Sequence, residues 1–150
     1  MKTRILGAVL GIAALSGLLV PSSAQAAADG VSSARLNGWG KHGGGSVRAN
    51  VDFVNRKKVI FRNFTVRDLC PGDNAPVRAR VVWIHTDGTT GHSAWRKDTN
   101  GCGDHGTNFG TIIRTDTKPI KKVYLHLQVY ARSGGIRGFA FSADRYNQYT

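Results

Sequence analysis

The sequence predicts an all-β protein, a single antiparallel sandwich of about seven to nine strands stapled by one disulfide and preceded by a cleaved leader. Three observations carry this expectation. Apolar and polar residues alternate with period two in most apolar stretches after residue 27, no helical period of useful length occurs there, and Gly, Asn, Asp and Pro punctuate the stretches at short intervals.

The first element is the leader. Lys2 and Arg4 precede an uncharged apolar run over residues 5–20, followed by Pro21, two serines and Ala24-Gln25-Ala26, the small-x-small pattern that a signal peptidase cuts after. The run has 16 residues and includes three glycines, short of the roughly 20 that a membrane span needs. Residues 1–26 therefore read as a signal peptide, 27–45 as a Gly-rich N-terminal segment and 46–150 as the sandwich. A secreted, extracellular protein with no membrane span after cleavage is expected, and a monomer.

In the sandwich, Val47, Ala49, Val51 and Phe53 alternate with Arg48, Asn50 and Asp52, which predicts a half-buried strand. Residues 58–69 are rich in Val, Ile, Phe and Thr, but the apolar phase slips between Phe61 and Phe64, as a bulge near Arg62-Asn63 would cause. Val77, Ala79, Val81 and Trp83 alternate with Arg78 and Arg80, predicting another strand, and 93–95 and 109–114 read as shorter ones. Turns are expected at 71–74, 87–88 and 100–101, and the basic runs at 56–58 and 118–122 fall at turns or strand starts.

The last hairpin carries the sharpest expectation. Val123, Leu125, Leu127, Val129 and Ala131 form one face of a strand whose other face holds Tyr124, His126, Gln128, Tyr130 and Arg132. A three-residue loop, Ser133-Gly134-Gly135 with Gly135 left-handed, would pair Val129 with Phe139 and Leu127 with Phe141. Both rings would then enter the core, where each contributes roughly 1.5 to 3 kcal/mol. Small residues Gly138, Ala140 and Ser142 would then border the Tyr124, His126, Gln128, Tyr130, Arg132 face as a low shelf. Tyrosines that stack on sugar rings beside hydrogen-bonding Gln, His and Arg make this face the candidate binding site.

Charge and cysteine content narrow the function classes. The chain has 21 Lys and Arg against nine acidic residues, all of them Asp, for a net charge of +12, or +10 once Lys2 and Arg4 leave with the leader. Such a field draws polyanions. Cys70 and Cys102 are the two cysteines, and in an oxidising compartment they read as one disulfide that stabilises the fold by about 3 to 4 kcal/mol. That bridge would gather Asp68, Asp73, Asp98 and Asp104. A calcium site built on Asp98, Asn100 and Asp104 is the alternative to ion pairs with Arg67 or Arg96, although the twelfth position of an EF-hand loop is occupied by Phe109. No metal and no cofactor is expected.

The absence of Glu removes paired-Glu glycosidases and Glu-base ribonucleases, and neither H-E-x-x-H nor G-x-S-x-G occurs. A nuclease using His85, His105, His126 and Lys97 is the remaining enzymatic reading. The expected function is non-catalytic binding of polysaccharide or an anionic cell-wall polymer. Its alternative is a secreted protease inhibitor or antagonist of an extracellular protein, presenting a disulfide-tethered loop at 70–74 or 100–108.

The succession FTVRDLCPGDNAPVRARVVW, WRKDTNGCGDHGTNFGTI and IKKVYLHLQVYARSGG resembles small secreted β-sandwich proteins of actinobacteria. The resemblance covers roughly residues 61–141 and implies a fold, not an activity, so no residue inherits a role from it. The alanine-rich leader and the use of Arg and Asp fit the same source.

Overall fold

A computed structural model describes residues 28–72, 74–103 and 105–150. The leader reading, and with it Asp73 and Asp104 of the disulfide region, lies outside the described residues. Among the described residues there is no helix, and none of the chain there forms a helix long and apolar enough to cross a membrane. Eleven strands occur among the described residues, in chain order: β1 (Gly30–Leu36), β2 (Gly44–Asn55), β3 (Lys58–Leu69), β4 (Val77–His85), β5 (Thr90–His92), β6 (Arg96–Lys97), β7 (Thr107–Asn108), β8 (Ile112–Thr115), β9 (Ile120–Tyr130), β10 (Ile136–Phe141) and β11 (Arg145–Tyr146).

They form two antiparallel sheets. The first runs β1-β2-β3, with β7 and β8 both pairing β3; the second runs β10-β9-β4-β5, with β6 on β4 and β11 on β9. Alternation in β2, β3, β4 and β9 turns Val47, Phe53, Phe61, Phe64, Val81, Trp83, Leu125 and Leu127, among others, into one buried cluster between the sheets. The count exceeds the expected seven to nine because the middle of the chain breaks into two-residue strands and because β1 arises in the segment read as an N-terminal lead-in.

The expected slip in residues 58–69 is a bulge. Arg48 pairs Thr65 and Asn50 pairs Arg62, so Asn63 and Phe64 together oppose Ala49, and Asn63 takes a left-handed φ of 53°. Both Phe61 and Phe64 are thereby buried. Arg56-Lys57 form the expected turn between β2 and β3, where Asn55 Oδ1 accepts the Lys57 N–H at 2.8 Å. Cys70 and Cys102 are bonded, with Cα atoms 4.9 Å apart.

The hairpin β9–β10 differs from the expected register. Gly138 pairs Val129, Phe139 pairs Gln128, Ala140 pairs Leu127 and Phe141 pairs His126, with a bulge at Arg137. The turn comprises residues 131–135, closed by Ala131 N–H to Gly135 O and Gly134 N–H to Ala131 O, and the residue at positive φ is Gly134 (90°), not Gly135. Phe139 and Phe141 consequently lie outside the core, 59% and 51% exposed.

The cause is β1. Its Leu36 reaches across from the first sheet to Gly138, where an added Cβ would meet Leu36 Cδ2 at 2.8 Å, so the space meant for a ring is already filled. Beside it Ser142 is buried, its Oγ accepting the Ser32 hydroxyl at 2.8 Å and the Leu125 N–H at 2.9 Å. Gly138, Ala140 and Ser142 face inward, and the small-residue shelf does not exist.

Candidate functional site

Because β9 alternates strictly, burying Val123, Leu125, Leu127 and Val129 turns Tyr124, His126, Gln128 and Tyr130 outward. On one side β4 adds Arg78 opposite Gln128 and Arg80 opposite His126. On the other β10 adds Phe139 and Phe141. Trp95 comes from the link between β5 and β6. Ser93 N–H donates to Val81 O at 3.0 Å, and Ser93 Oγ accepts the Val81 N–H at 3.2 Å, which holds this link along β4.

The resulting surface is a continuous string of ring contacts. Tyr124 meets Phe141 edge-on at 5.7 Å, Phe141 lies 4.6 Å from His126 and 5.4 Å from Phe139, and His126 meets the Trp95 ring at 5.1 Å. Both guanidiniums cover Trp95, Arg78 at 4.5 Å and Arg80 at 4.4 Å, and Arg78 also lies 4.9 Å from the Tyr130 ring. Such stacking contributes about 0.5 to 2 kcal/mol per pair and restricts each guanidinium to a preset plane. Gln128 Oε1 accepts from Arg78 Nε at 3.1 Å and Nη2 at 3.0 Å. Burial, then Arg80, then Arg78 lower the His126 pKa below its ordinary value, so its ring is neutral at pH 7 and the two arginines supply the charge.

Of the five site residues read from sequence, Tyr124, His126, Gln128 and Tyr130 share this face, while Arg132 sits in the exposed turn beyond β9. Sequence reasoning missed Trp95, Phe139 and Phe141, and left Arg78 and Arg80 as plain polar positions. The alternation over 77–83 did mark both arginines as outward; pairing that strand with 120–130 would have put them on the candidate face. The two phenylalanines were lost through the hairpin register.

The disulfide region is organised around Asp98. Asp98 Oδ2 accepts the Asp68 N–H at 2.7 Å, and Oδ1 accepts the Asn100 N–H, the Thr107 N–H and the Thr107 hydroxyl at 3.1, 3.0 and 2.6 Å. Asn100 Nδ2 in turn donates to Gly106 O at 3.2 Å. Four donors bond the carboxylate that was the first candidate calcium ligand, and Asp104, another of the three candidates, lies outside the described residues. Arg67 Nε donates to Gly103 O and Arg96 covers the Phe109 ring at 5.6 Å. These bonds hold the 100–108 loop that was read as a possible inhibitory segment.

The histidines do not converge. His85 is buried at the end of β4, with Nδ1 2.9 Å from Thr89 Oγ1 and Nε2 3.1 Å from Asp116 Oδ2. His105 borders a groove with Arg48, Thr65 and Arg67 on the outer face of the first sheet, whereas His126 lies on the outer face of the second. Lys97 stands on β6 beside Arg78. The chain matches no protein-family model, no curated protein and no solved structure.

Proposed function

We propose that the protein is an exported, non-catalytic binding module that holds an extracellular polyanion against the outer face of its second sheet. The observation that supports this reading is the string of rings from Tyr124 to Tyr130, flanked by two arginines with no carboxylate partner among the described residues. Exposed phenyl rings beside stacked guanidiniums leave apolar and cationic surface in contact with water, and a ligand with flat faces and negative charge would cover both. The disulfide suits an oxidising compartment.

Retention on an immobilised polyanion tests it. Phe141→Ala removes an exposed ring and should weaken retention by about 1 to 3 kcal/mol, by analogy with aromatic stacking on bases, while the fold is spared. Arg56→Ala with Lys57→Ala, on the β2–β3 turn, should cause only a small loss that salt abolishes. Unchanged retention in Phe141→Ala, with the whole effect in the turn variant, would reduce the face to a solvated sheet surface.

A further inference from the structure

The outer face of the second sheet offers π-faces and hydrogen-bond donors, and few acceptors. Because Gln128 Oε1 is taken by Arg78, its amide nitrogen is the part left to a ligand. None of the outward positions of β4, β9 and β10 is a carboxylate, and Asp144 at the border is held by Lys122 Nζ at 2.6 Å. A sugar hydroxyl donates as well as accepts, so a neutral glycan would leave its donors unanswered here. A ligand rich in acceptors suits the face better.

Ring geometry narrows the choice among polyanions. Phe139 and Phe141 stand two residues apart on an edge strand and are tilted by 56° to each other; Phe141 is tilted by 37° to His126 and 81° to Tyr124. Tilted rings make no flat wall for a rigid ribbon of pyranoses. Nucleobases on a single strand turn independently about the backbone, and open sheets with exposed aromatics accept them one ring at a time.

We infer that the platform takes single-stranded nucleic acid, with bases on Phe139 and Phe141 and phosphates on Arg78 and Arg80, by charge and donor complementarity. This rests on the platform reading above and names its ligand class. Unpaired bases are required, so the duplex should bind by charge alone.

The test is fluorescence anisotropy at moderate salt with a labelled oligothymidylate of about twelve nucleotides, its duplex, and polygalacturonate as the non-nucleic polyanion. Phe139→Ala with Phe141→Ala should weaken single-strand binding about 10-fold or more and leave duplex binding unchanged. Arg80→Gln should weaken both and flatten the salt dependence by about one unit or less of slope. Equal affinity for single strand and duplex, or a double phenylalanine variant that binds the strand like the parent, overturns the inference. If polygalacturonate retention still falls in that variant, the platform reading stands and only the ligand class is wrong. If no polymer responds to Phe139, Phe141 or Arg80, both fall. A dimer in sedimentation equilibrium that Phe139→Ser dissociates, with no strand binding, also overturns both and gives the face to a second copy of the chain.

Discussion

Asp98 is 6% exposed in a chain with no Glu, and its carboxylate accepts one donor at Oδ2, from Asp68, and three at Oδ1, from Asn100 and Thr107. Burial opposes its ionisation, but the hydrogen bonds from the Thr107 hydroxyl and the three N–H groups outweigh it and hold the pKa below the ordinary carboxylate value. A depressed folded pKa contributes stability that is present above the unfolded value near 4 and is lost as pH falls through the folded one. Asp98→Asn turns one of the two acceptor oxygens into an NH2 donor facing donors and should cost about 2 to 3 kcal/mol. Melting curves between pH 6 and 2, a range of about four units around that carboxylate value, should show the parent losing its advantage over the variant on acidification. A constant gap would contradict the assignment. Oxygen-rich, Gly-kinked loops serve cations and turns alike, so the sequence around Asp98 does not show its hydrogen bonds; the donors from Asp68 and Thr107 become visible only once pairing brings them in.

His126 sends two pH signals of opposite sign. Its lowered pKa means that the folded state resists protonation, so its contribution to stability is complete above 6.5 and declines as pH falls. A bound polyanion reverses the preference, because the imidazolium would then face negative charge. An NMR titration of the His126 ring should give a midpoint below 6.5 in the free protein and a higher one when polymer is bound. A midpoint that polymer leaves in place would remove His126 from the site.

Among the elements, the bulge of β3 was legible and the register of β10 was not. Asn63 announces itself because the apolar phase slips by one residue between Phe61 and Phe64, and a slip of a period-two pattern has few other causes. β10 has apolar residues at Ile136, Phe139, Ala140 and Phe141, so either phase can be argued, and the decision came from a strand that sequence does not advertise. β1 reads Gly-Val-Ser-Ser-Ala-Arg-Leu; it buries only Ser32 and Ala34 fully, with Leu36 packed beside them. Its inward Ser32 looks polar until Ser142 is seen opposite it. The observed register makes a clean prediction by chemical unfolding. Phe141→Ala should cost less than about 1 kcal/mol, and Leu127→Ala, fully buried on β9, about 2 to 5 kcal/mol. Comparable losses would return Phe141 to the core.

For the whole molecule, composition pointed to a polyanion through an excess of 12 positive charges, but a net charge has no direction. Two faces compete for it once the chain is folded: the aromatic surface of the second sheet, and the groove on the first sheet where Arg48, Arg67 and His105 stand without exposed rings. Arg67 is already committed to Gly103 O, and that face offers hydroxyls and amides in place of π-surface. Both faces attract at long range, yet only the second adds stacking at contact, which salt does not screen. The two faces differ in where a polyanion would be held. Backbone and aromatic-ring NMR shifts followed during titration with a short polyanionic oligomer, at a salt concentration that suppresses loose attraction, distinguish them. Saturating shifts should be confined to the outward residues of β4, β9 and β10 and to Trp95; saturating shifts around Arg48, Thr65 and His105, with Phe139 and Phe141 unmoved, would give the ligand to the first sheet instead.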